Sequence, residues 1–178
     1  MLARHALSRT GLHAAALVVG LSLGIQHVHA VGTDTPAPST DKKKEKDKKS
    51  MIDRQRDDAA FLDGYRAARA LILAGHYEDG IAAMHALHRD SNPDVANYIG
   101  YANRKLGNYE QSKLWYEAAL KADPNHARTW SYYGMWHAEQ GNRLKAEDFL
   151  QKVKLICGNE TCTEFKQLRD VIDGKASY

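Results

Sequence analysis

The chain has 178 residues, with 25 lysines and arginines against 22 acidic residues, nine histidines and two cysteines. Its formal charge of +3 is uneven: residues 1–50 carry +4 and the remaining 128 carry −1, which argues against a basic nucleic-acid-binding domain. Those 128 residues suffice for one ordinary domain and not two, and two cysteines cannot hold a disulfide-dense miniprotein together.

Residues 1–30 read as a secretory signal. Arg4 and Arg9 supply the positive start, residues 14–25 (AAALVVGLSLGI) are an unbroken apolar run, and Val28-His29-Ala30 places modest side chains before a cut. That run falls short of the about 20 apolar residues a spanning helix needs, although an uncleaved anchor is the alternative. The mature protein is expected to begin at Val31, in the periplasm. Residues 31–50 (VGTDTPAPSTDKKKEKDKKS) hold one sizeable apolar side chain, Val31, and are expected to form a disordered Lys-rich linker. Its lysines offer a weak contact with anionic surfaces through residues 42–49, diluted by Asp41, Glu45 and Asp47.

Residues 51–178 form the folded part. Residues 52–60 (IDRQRDDAA) extend a leading helix. Three glycine-centred turns then recur, Gly75-His76-Tyr77, Gly107-Asn108-Tyr109 and Gly141-Asn142-Arg143, at steps of 32 and 34 residues. Each lies between two amphipathic stretches, so each unit reads as helix, tight turn, helix. Glycine ends the first helix because it takes a left-handed conformation without a Cβ clash. Asn108 and Asn142 are placed to cap the second. Asn92-Pro93-Asp94 opens a helix with a cap, a proline in the first turn and an acid at the positive end. Asn125 is expected to open the next after Asp123-Pro124. Thr161-Cys162-Thr163-Glu164 has capping-box spacing, and starts a last helix over about 161–173 whose Phe165, Leu168, Val171 and Ile172 cover the end of the array.

The side chains between turns keep register. Trp130, Tyr133, Gly134 and His137 are followed by Ala146 and Leu150; Ala96, Ile99, Gly100 and Asn103 by Ser112, Tyr116 and Pro124; Gly64, Ala67, Ala68 and Leu71 by Gly80 and Met84. With a period near 34, this pattern resembles the tetratricopeptide (TPR) repeat family, in three motifs of about 61–92, 93–126 and 127–158. The resemblance implies an all-α fold, a short right-handed solenoid closed by a C-terminal capping helix. Departures concentrate in the first unit, which lacks the large aromatic and the closing proline and is two residues short. Asn103 and His137 stand where the family usually has Tyr.

Cys157 and Cys162 would both be exported to an oxidising compartment, where a structural disulfide is favoured over a redox-active pair. Their spacing is not C-x-x-C, and no thioredoxin-like pattern surrounds them. Within the resemblance, Cys157 to Phe165 (CGNETCTEF) is similar to an element of small exported bacterial TPR proteins. His85 and His88, with His76 nearby, lack a third ligand of metal-site spacing. No nucleophile set, phosphate loop or cofactor motif is present.

By the same resemblance, the first helices of successive units line a concave groove. Its facing set here would be Tyr65 and Arg69; Asn97, Tyr101, Arg104 and Lys105; and Arg128, Ser131 and Met135. Asn97, Tyr101 and Arg104 are four and three apart, hence on one helical face. A Tyr, Asn, Met and cation surface suits an extended peptide, with Asn bonding its backbone and Arg104, Arg128 or Lys105 taking a carboxylate. The specific two-carboxylate clamp of chaperone-binding TPR domains is not matched. The expectation is a non-catalytic scaffold or assembly factor without cofactor, offering this groove to a protein partner in the cell envelope. A tether acting through the Lys-rich segment is the alternative, with a thiol oxidoreductase third.

Overall fold

The computed structural model describes residues 40–177, and the expected signal at residues 1–30 and the first part of the expected linker lie outside them. Seven helices follow in chain order: α1 (Thr40–Leu73), α2 (Tyr77–His85), α3 (Pro93–Lys105), α4 (Tyr109–Ala122), α5 (Ala127–Glu139), α6 (Arg143–Cys157) and α7 (Thr163–Ile172). No strand occurs among the described residues. Helices pair as α1 with α2, α3 with α4 and α5 with α6; α1, α3 and α5 also touch in series, and α7 packs on α5 and α6. This is the three-unit helical array with a terminal cap that the period implied.

The turn at Gly107 explains why the units close where they do. Gly107 has φ 78°, its N–H donates to the Arg104 carbonyl at 3.0 Å, and the Asn108 N–H reaches back to the Asn103 carbonyl at 2.9 Å. Carbonyls left open at the end of α3 are thereby satisfied inside a turn that a side-chain-bearing residue enters at a cost. Gly75 and Gly141 repeat the pattern, with φ 87° and 75°.

Capping is less uniform than the asparagines imply. Asn92 accepts from the N–H groups of Asp94 and Val95, and Asn142 accepts from that of Lys145, whereas Asn108 makes no side-chain cap. The fifth helix is opened by His126 and not Asn125, whose own N–H is taken by the Asp123 carboxylate. At the last helix the N-cap is Cys162, one residue later than the Thr161 spacing suggested. Asn159 Oδ1 collects the Thr161 N–H, the Thr161 hydroxyl and the Cys162 N–H, a local turn that competes with the capping box.

Small residues sit at the close approaches. A Cβ at Gly100 would lie 2.9 Å from the Tyr116 ring, and one at Gly134 would lie 2.6 Å from Leu168. Two apolar clusters result. One, around Ile72, Met84, Val95, Tyr98 and Ile99, joins the first two units; the other, around Tyr116, Tyr133, Met135, Phe149, Val153 and Leu168, joins the second, the third and α7. Tyr101 packs against both. On α7, Phe165, Leu168 and Ile172 are buried, each contributing roughly 1.5–3 kcal/mol of apolar burial. Cys157 and Cys162 form a disulfide that ties the end of α6 to the start of α7, and no cysteine is free.

The N-terminal end of the array departs from the sequence reading. Residues 40–50 are helical, not disordered: they form the start of a 34-residue α1 whose residues 41–60 are exposed. No Gly or Pro interrupts the segment from Thr40 to Asp63, and Glu45 precedes Lys48 and Lys49 by three and four positions, so local propensity carries the exposed start of the helix. The atypical first unit is also explained. Its second helix, α2, has nine residues against 14 in α4, and it ends in a turn where His88 takes φ 52°.

Candidate functional site

The first helices of the three units bring a row of tyrosines together. Tyr65 on α1 meets Tyr98 on α3 edge-on at 6.0 Å; Tyr98 meets Tyr101 at 6.4 Å; Tyr101 meets Tyr132 on α5 at 5.3 Å and Tyr77 on α2 at 6.5 Å. Tyr98 is the buried centre of the row, while Tyr65 and Tyr101 are half-buried. Guanidinium groups interleave with the rings. Arg69 and Arg128 lie 5.5 Å and 5.9 Å from the Tyr98 ring centre, and Arg104 lies 5.7 Å from that of Tyr101. Such contacts hold a cation flat against a quadrupole and restrict its motion.

A polar chain runs beside the rings. Asp94, in the first turn of α3, accepts from Arg128 Nη1 at 2.7 Å and faces His126 Nε2 at 3.4 Å. The His126 hydrogen bond, followed by the charges of His126 and Arg128, holds the Asp94 carboxyl below its usual range although burial opposes this. Thr129 donates to Asn97 Oδ1 at 3.1 Å, so its oxygen accepts from His126 Nδ1 at 2.6 Å. Burial, with Asp94 adding to it, pushes the Tyr65 phenol above its ordinary value.

These contacts sort the nine groove residues expected from the sequence. Tyr65, Arg69, Tyr101 and Arg128 share this surface, whereas Lys105 is exposed and lines a small pocket with Arg104, Tyr109 and Glu139. Asn97, Arg104, Ser131 and Met135 do not line an open groove, because they are buried between helices. Asn97 Oδ1 accepts from Thr129. Ser131 donates to the Glu164 carbonyl of α7 at 2.8 Å, and Met135 belongs to the apolar cluster beneath it. Arg104 donates to the Tyr132 carbonyl at 3.0 Å and pairs with Glu139 at 3.1 Å. It ties the second unit to the third. Asp94, Tyr98 and His126 are the members that sequence reasoning missed. Asp94 lies three residues before Asn97 on the same helical face, which was the available signal.

A second cleft, of about 660 Å³, lies on the opposite face of α5, where Trp130, Tyr133 and His137 form a floor between α4 and α6. Glu110, Lys113, Glu117 and Lys145 rim it, so its charge is balanced. Burial, then Lys145 and Lys113, pushes His137 down, and the Tyr133 hydroxyl donates to Glu117 at 3.1 Å. The histidines weighed as metal ligands go elsewhere: His85 pairs with Asp90 at 2.9 Å and packs against Trp115. Among the described residues, the one cluster of three potential ligands is Cys157, Cys162 and Glu164, and its two sulfurs are already joined.

The helical array resembles that of TPR-type proteins, and residues 93–126 match the sequence model of the tetratricopeptide repeat. No curated protein sequence matches the chain. Solved structures do. The type III secretion translocator chaperone SycD of Yersinia enterocolitica superposes with a TM-score of 0.57 at 16% identity, covering 66% of this chain and 84% of that one. SycD in complex with a peptide of the translocator YopD gives 0.55 at 19%, over 66% and 89%. PcrH in complex with the chaperone binding region of PopB gives 0.53 at 18%, over 66% and 95%. At these identities the likeness is one of fold.

Proposed function

We propose that this protein is a non-catalytic scaffold or assembly factor that holds an extended segment of a partner protein on its concave face. The observation that carries the reading is the row of tyrosines and arginines crossing α1, α3 and α5, in which Tyr65, Arg69, Tyr101 and Arg128 reach solvent. Rigid aromatic anchors and guanidinium groups are enriched where proteins bind one another. Two of the proteins sharing this fold are solved with a translocator peptide or a chaperone binding region, which supports a peptide as the occupant. Tyr65→Ala with Tyr101→Ala should abolish capture of the partner in pull-downs from envelope extract, with helical content unchanged. Leu144→Ala, on the exposed outer side of α6, should leave it intact. Equal capture by all three proteins removes the reading.

The place of action we propose is the periplasm, after cleavage behind Ala30. The apolar run at residues 14–25 and a disulfide suited to an oxidising compartment support it. Intact mass of the exported protein tests this: a species starting at Val31 is expected, and one retaining residues 1–30 refutes it. The lysines at 42–49 stand exposed on a helix, so a weak additional contact with an anionic surface is compatible with the same role.

A further inference from the structure

We infer that the concave surface selects an extended peptide with an internal acidic side chain, and that Arg69 receives it; the inference rests on the groove reading above. Three guanidinium groups border the row of tyrosines, and two already face a carboxylate: Arg128 meets Asp94 at 2.7 Å and Arg104 meets Glu139 at 3.1 Å. Arg69 differs. Its Nε donates to the Tyr98 hydroxyl at 2.6 Å, a neutral partner, and no carboxylate among the described residues lies within ion-pair distance. Using Nε in this way leaves the two terminal nitrogens, the paired edge that takes a carboxylate in fork geometry. Tyr98 is itself buried and holds the exposed guanidinium in place before a ligand arrives, which lowers the entropy cost of binding.

The surroundings set the rest of the ligand. The rings of Tyr65 and Tyr101 flank Tyr98, so apolar or aromatic residues should neighbour the acid. At one end α7 covers Ser131 and Met135 and closes the surface. At the other end the helix carrying Arg69, α1, packs, among the described helices, against α2 and α3. A bound chain meets no further described helix past Arg69, so it can continue there, with the carboxylate as a side chain within it and not a terminus.

The test uses random peptides of about twelve residues, long enough at ~3.3 Å per residue to cross three helices, displayed at the N-terminus of a phage coat protein. Display of this kind offers no free C-terminal carboxylate. Wild-type protein should enrich sequences with Asp or Glu at a fixed spacing from an aromatic residue or leucine. Resynthesised with an amidated end, such a peptide should lose about tenfold in affinity when its acid becomes the amide. Arg69→Gln should bind the acidic and amide forms alike, with an unchanged melting curve. Enrichment without acids, or an equal acid-to-amide loss in Arg69→Gln, overturns the inference while leaving the groove reading standing. Failure to enrich any peptide, or enriched peptides indifferent to Tyr101→Ala, removes the groove reading and this inference with it.

Discussion

Gly80→Ala sets two ordinary effects against each other, and the geometry decides which wins. Gly80 lies in α2, where alanine should gain up to about 1 kcal/mol of helix propensity. A Cβ built there would stand 2.3 Å from Ile72 Cγ1, 3.1 Å from the Ile72 backbone nitrogen and 3.3 Å from Ile72 Cδ1. Carbon contacts are comfortable at roughly 3.5–4.0 Å, so the helices must separate or Ile72 must leave its rotamer. Ile72 is 1% exposed and β-branched, with little room to turn. Overpacking of this kind costs about 1–3 kcal/mol, and the clash falls toward the upper end. The net expectation is a loss of about 1–2 kcal/mol, or a fall in Tm of about 3–6 °C for a domain of this size. Ile72→Ala alone should cost about 2–5 kcal/mol through its cavity. In that background Cγ1 and Cδ1 are gone, the remaining 3.1 Å approach to the backbone nitrogen is relieved by a shift of a few tenths of an ångström, and adding Gly80→Ala should stabilise. Urea titrations followed by helical circular dichroism on the four proteins measure this reversal of sign. If Gly80→Ala stabilises the otherwise native chain, α1 and α2 do not approach as described.

Arg104→Ala should destabilise by about 2–4 kcal/mol, because it strands the Tyr132 carbonyl and Glu139 around a site 1% exposed, and Arg104→Lys should recover only part; urea unfolding distinguishes them. Asp94 titrates below its ordinary value of 3.8 in the folded state, so its contribution is complete above that pH and lost as pH falls through the lower folded value. Asp94→Asn should therefore lose less stability than the native chain between pH ~5 and ~2, by under about 1 kcal/mol because the side chain is half-exposed. Reducing the disulfide, or making Cys162→Ser, should cost about 2 kcal/mol and raise hydrogen exchange in α7 before the rest of the array.

The parts of the fold legible in the sequence were those with a local chemical signature. Gly75, Gly107 and Gly141 announce left-handed turns, Asn92-Pro93 announces a helix start, and the recurring small residues at Ala68, Gly100 and Gly134 announce close packing. Depth was not legible. The phase of α5 puts Ser131 and Met135 on the same side as Arg128, but only the position of α7 decides that it covers the first two. Arg104 was misread for a related reason. A long cation on a groove-facing position looks solvated until Glu139, 35 residues later in the chain, is seen to meet it. Composition misled at residues 40–50, where a polar run that cannot form a core was taken to be unstructured. Burial and helicity are separate properties, and the charged start of α1 has the second without the first.

The three tryptophans are spread through the array: Trp130 and Trp136 border the cleft between α4 and α6, and Trp115 sits against His85. Indole emission is thus a built-in reporter of unfolding, and a ligand on the tyrosines is followed by a label of its own. The two events can be followed separately in one sample, by adding a dye to the ligand and leaving the protein unlabelled.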